Sequence, residues 1–88
     1  MLFSAIYIVD VTAKCPRGDA EDQYKVYIYS DDTILVEEIN KAVAEITSAP
    51  IYQEDLAKRL AAALQARVVI EGEHSGVKVE CIADAAAA

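Results

Sequence analysis

Two runs near the N-terminus, Leu2–Val11 and Gln23–Ser30, are apolar on both sides of an extended chain, and few folds accommodate that. The side chains of a strand alternate between the two faces of its sheet. In the first run Phe3, Ala5, Tyr7, Val9 and Val11 fall on one side, and Leu2, Ile6 and Ile8 on the other. In the second, Tyr24, Val26 and Ile28 oppose Tyr27 and Tyr29. An antiparallel sheet with one wet face reads apolar inward and polar outward. The pattern therefore predicts a sheet whose second face is covered, over these two strands, by something other than water.

The middle of the chain supplies a cover for one face. Leu35, Ile39, Val43 and Ile46 recur at spacings of four, four and three, which predicts a helix reaching to about Thr47. Asp31, Asp32 and Thr33 offer N-cap oxygens before it, and Ser48-Ala49-Pro50 ends it. A second helix is expected from Gln53 to Gln65, with Leu56, Leu60, Ala63 and Leu64 as its apolar stripe. Arg67–Glu71 and Val77–Ile82 read as two further strands, and Gly72-Glu73-His74-Ser75-Gly76 between them supplies turn chemistry. In these strands Val68, Ile70, Val77, Val79 and Cys81 make a core face. The opposite face, with Arg67, Val69, Glu71, Lys78, Glu80 and Ile82, is mostly polar. The expected fold is α+β: a two-layer sandwich in the order ββααββ, with a mainly antiparallel four-stranded sheet and two helices on one face. Residues 1–84 are expected to form a single domain, and residues 85–88 a frayed alanine tail.

Charge and cysteine usage narrow the functional classes. A formal net charge of −7 over 88 residues opposes non-specific attraction to nucleic acid or anionic membrane, which both require clustered Lys and Arg. Tyr7, Tyr27 and Tyr29 resemble a base-stacking platform. Lys25, Arg67 and Lys78 are too few to rim it, so no direct nucleic-acid binding is expected. The apolar N-terminus lacks a basic flank, is cut by Asp10 and is too short to span a bilayer. A cytoplasmic location without membrane attachment is expected, with Cys15 and Cys81 as free thiols; sequence alone leaves a Cys15–Cys81 pair open.

The stretch Thr12–Asp22 reads as a long loop around Pro16 and Gly18. Its Arg17-Gly18-Asp19 tripeptide is read as turn chemistry. Cys15, two residues from Arg17, and His74, the single histidine, sit in loops that can emerge from the same end of a sheet. A nucleophilic cysteine needs a base, so this pair defines an alternative site. Glu71, Glu73, His74 and Cys81 lack the closely spaced ligand pairs of a structural zinc site, and no metal or cofactor is expected. The adjacent acids Asp31/Asp32, Glu37/Glu38 and Glu54/Asp55 point in different directions on a helix and serve its caps and first turns.

The leading expectation from the sequence is a non-enzymatic protein-interaction domain. Its aromatic face, Phe3, Tyr7, Val9, Tyr27 and Tyr29, would pair with a second copy or dock on a larger protein, as an anti-CRISPR-like inhibitor would. The alternative is a small enzyme or ligand-binding subunit with its site near Cys15 and His74.

Overall fold

A computed structural model describes residues 4–85. The elements run β1 (Ala5–Lys14), β2 (Glu21–Ser30), α1 (Val36–Ile46), α2 (Gln53–Leu64), β3 (Arg67–His74) and β4 (Val77–Ala83). The strands form one antiparallel sheet in the order β1-β2-β3-β4. Helix α2 lies over β3 and β4, and α1 packs beside α2. The expected ββααββ two-layer architecture is the one found.

Register sorts every strand residue onto a face. Tyr7 pairs with Ile28, Val9 with Val26 and Val11 with Tyr24, and Val26 and Ile28 continue to Ile70 and Val68. These rows face the helices, where Leu56, Leu60, Ala57 and Ala61 are almost fully buried against them. The two alanines have no side chain beyond Cβ, so α2 settles close to the sheet. On the other side Ile8, Tyr27, Val69 and Ile82 line up across all four strands. Ile8 and Ile82 are 61% and 64% exposed there. The apolar strip on the open face therefore crosses the whole sheet and is not confined to β1 and β2.

The first hairpin is longer than its polar composition predicts. Thr12, Lys14, Glu21 and Gln23 belong to paired strands, and the loop shrinks to Cys15–Ala20, closed by the Cys15 N–H donating to the Ala20 carbonyl at 3.1 Å. These polar residues are exposed, while Ala13 between them is buried. The second hairpin turns on Ser75 and Gly76 alone, both at positive φ (51° and 83°), the backbone of a type I′ turn. Gly72 is thus a strand residue and not part of the turn.

Helix α1 begins at Val36 without a side-chain cap, so Asp31, Asp32 and Thr33 do not serve as expected. The connection is held otherwise: the Asp32 N–H donates to Ser30 Oγ at 3.1 Å, and the Ile34 N–H to the Tyr7 hydroxyl at 3.0 Å. At the other end the Ile51 N–H donates to the Lys14 carbonyl at 3.0 Å, which ties the start of α2 to the end of β1. Among the described residues no helix is long and apolar enough to cross a membrane.

Candidate functional site

The site is built on Gln53, the first residue of α2 and only 2% exposed. Its amide nitrogen donates to the carbonyls of Ile70 and Val79, each at 2.9 Å. With both amide hydrogens used on β3 and β4, its Oε1 is left as an acceptor, and His74 Nε2 lies 2.8 Å from it. The imidazole therefore carries its proton on Nε2. Nδ1 then faces the Asp22 carboxylate, 3.8 Å away. The Tyr24 hydroxyl donates to the other oxygen of the same carboxylate at 3.2 Å, and the Tyr24 ring stands 6.0 Å from the imidazole. Asp22, Tyr24, Gln53 and His74 form one connected polar chain across β2, α2 and β3.

Gly72 makes room for it. A Cβ at this position would lie 2.6 Å from two ring carbons of Tyr24 and 3.0 Å from Gln53 Oε1. A strand glycine often marks such a close approach. Tyr24 fills the space that a side chain would take.

This chain of groups forms a wall of a cavity of about 240 Å³ at the end of the sheet, where Cys15, Arg17, Ile51, Tyr52, Glu54 and Val79 complete the lining. Cys15 is partly exposed and unpaired, as is Cys81, so the two thiols are free. Their surroundings differ. Burial, and secondarily Glu54, pushes the Cys81 thiol up from its ordinary pKa. Burial and then the Asp22 carboxylate hold the Tyr24 phenol far above its ordinary range, so it stays a neutral donor. Chemically the cavity offers a thiol nucleophile, a histidine whose free nitrogen can take up a proton, and a carboxylate placed to stabilise the imidazolium that results. A wider depression of about 730 Å³ on the open sheet face is lined by Asp10, Lys25, Glu71, Glu73, Lys78 and Glu80. It contains neither a thiol nor an imidazole and is the weaker candidate. No group of acids, histidine and cysteine among the described residues could hold a metal ion.

The aromatic patch expected from the sequence divides. Tyr27 and Tyr29 lie on the open face, but Tyr7 and Val9 pair with Ile28 and Val26 and pack against the core. Phe3 lies outside the described residues. Ile6, Ile8, Val69 and Ile82 take the places assigned to Tyr7 and Val9. Cys15 and His74, by contrast, are brought to one cavity. Asp22, Tyr24, Gln53 and Gly72 were missed as functional residues, though each left a trace. Gln53 lies three residues before Leu56 and so falls on the apolar stripe of α2. Asp22 shares its parity with Tyr24, Val26 and Ile28, and His74 shares its parity with Val68 and Ile70. Polar residues on a core face are the signal.

No protein-family model matches the chain, and no curated protein matches it. A solved structure does: the apo form of the archaeosine synthase QueF-like, at a TM-score of 0.77 and 23% identity, over 92% of this chain and 91% of that one. At that identity the likeness is one of fold. It nevertheless corrects the leading expectation: the fold is shared with a protein named as a synthase, and the reading of a non-enzymatic interaction domain or inhibitor does not stand. The patch that reading rested on is also altered, because Tyr7 and Val9 do not belong to the open face.

Proposed function

We propose that this protein is an enzyme that uses Cys15 as a nucleophile on a nucleobase-type substrate, in modified-nucleoside chemistry related to that named by its structural neighbour. The observation that carries this reading is the meeting of Cys15, Asp22 and His74 in one cavity, behind which the buried Gln53 amide fixes the imidazole. In this scheme the Cys15 sulfur adds to a carbon doubly bonded to nitrogen in the bound heterocycle, the π pair moves onto that nitrogen, and the thiol proton reaches it by way of His74. His74 Nδ1 takes up the proton, and Asp22 stabilises the imidazolium. The cavity of about 240 Å³ suits a single planar ring system. A free-thiol nucleophile fits the reducing cytoplasm. We assign the apolar row Ile8–Tyr27–Val69–Ile82 to self-association, since water is a poor cover for it and a second copy presents the same row.

The test is an assay of the purified protein for archaeosine formation in tRNA, read by nucleoside mass spectrometry, with Cys15→Ala and His74→Ala alongside. Product from the unaltered protein and at least a ~10³-fold loss in Cys15→Ala is the expected result. Full turnover by Cys15→Ala would contradict the proposed role.

A further inference from the structure

Ile51 and Tyr52 line the Cys15 cavity, and they also line a neighbouring groove of about 520 Å³ whose other walls are Pro16, Pro50, Asp55, Lys58 and Arg59. The two hollows share a ridge. Tyr52 is 45% exposed on it, an aromatic ring available for stacking. Lys58 and Arg59 are adjacent on the exposed side of α2, and Arg17 stands in the wall of the first hollow. Among the described residues Lys25 pairs with Asp10 and Arg67 with Asp84, whereas Lys58, Arg59 and Arg17 pair with no carboxylate. A chain of net charge −7 thus places two unpaired cations in one groove against a single carboxylate, Asp55, directly beside its candidate nucleophile. Net charge averages over the whole surface; a phosphate meets only the charges within about a Debye length, roughly 10 Å at 0.1 M salt.

We infer that the groove of Lys58 and Arg59 is a phosphate subsite, so that the substrate is a nucleotide straddling the Tyr52 ridge, its base in the Cys15 cavity and its phosphate in the groove. This rests on the proposed nucleobase chemistry of the cavity and adds to it the phosphate. The guanidinium of Arg59 can hold two phosphate oxygens at once, and Lys58 adds a point charge. The phosphate can belong to a free mononucleotide or to one position of an RNA strand, and the two sources differ in measurable ways.

The experiment measures binding to Cys15→Ser protein, which removes turnover from the readout. The probes are guanosine 5′-monophosphate, guanosine and unfractionated tRNA, each at 50 and 200 mM salt. Guanosine 5′-monophosphate binding at least tenfold more tightly than guanosine marks the free nucleotide. Tight tRNA binding that the mononucleotide does not displace marks the strand, with a steep salt dependence. In either case Lys58→Gln/Arg59→Gln weakens binding about tenfold or more. For tRNA it also makes the slope of log K against log salt shallower by about two. Both positions are exposed on a helix and Gln is a good helix former, so the fold is kept, and Lys41→Gln on α1 is the control that leaves affinity unchanged. The inference is overturned if the double variant binds as the parent does, or if no phosphate-bearing probe binds better than guanosine. An inert Cys15 in a protein that still binds through Lys58 and Arg59 would sink the catalytic proposal alone.

Discussion

At the scale of single residues, Gly72 and Gln53 decide whether the site exists. Tyr24 and Gln53 are both buried, so neither can yield to a Cβ at 2.6 and 3.0 Å. Gly72→Ala should therefore cost about 1–3 kcal/mol in a denaturant titration and lose activity beyond that cost, since the groups displaced are those that hold His74. Gln53→Met keeps the volume but strips the Ile70 and Val79 carbonyls and His74 Nε2 of their partner. A loss of roughly 1–3 kcal/mol is expected, together with a His74 resonance whose tautomer is no longer fixed. Tyr24 gives a pH signature. Folding favours its neutral form, so its contribution is complete below pH of about 10, where the unfolded phenol begins to ionise, and is lost as pH rises through the elevated folded value. Urea midpoints measured from pH 9 to 11.5 should fall more steeply for the parent protein than for Tyr24→Phe. Equal slopes would remove Tyr24 from the account.

At the scale of elements, the alternation that made the strands legible also explains where they were cut short. Leu56, Leu60, Val68 and Ile70 announce buried faces by periodicity alone, and all four are in the core. Thr12, Lys14 and Glu21 look like a loop because each is polar, yet each is an outward-facing partner in a ladder whose inward residues include Ala13 and Tyr24. Once β2 is started at Glu21 and β3 is carried to His74, parity alone puts Asp22 and His74 on the core side, at the same end of the sheet. Two early glycine and capping signals misled for a related reason: local chemistry was read where tertiary packing ruled. Gly72 serves Tyr24, and the side-chain oxygens of Asp31, Asp32 and Thr33 do not cap α1 while Ser30 and Tyr7 hold the approach to it. Helix α2 links the two halves of the site, since Gln53 begins it and Leu56, Ala57, Leu60 and Ala61 seat it. Ala57→Leu, at a position 1% exposed, should overpack this seat by about 1–3 kcal/mol and lower activity along with stability.

At the scale of the molecule, the open face and the cavity are separate devices. The row Ile8–Tyr27–Val69–Ile82 was visible in sequence as an apolar anomaly, but its membership depended on register, which depends on the hairpin loops and not on composition. Sedimentation velocity at high micromolar concentration is expected to show self-association that Tyr27→Asp abolishes; a strict monomer would remove that assignment and leave the cavity untouched. The central claim concerns the cavity: that Asp22 and His74 act on Cys15. The direct measurement is the rate of Cys15 alkylation by iodoacetamide at neutral pH, followed by intact-mass spectrometry in Cys81→Ser protein, with Asp22→Asn and His74→Ala added to that background. The account predicts that each added change slows alkylation about tenfold or more while the circular dichroism spectrum is kept. Cys15 reacting at the same rate in all three proteins would contradict it.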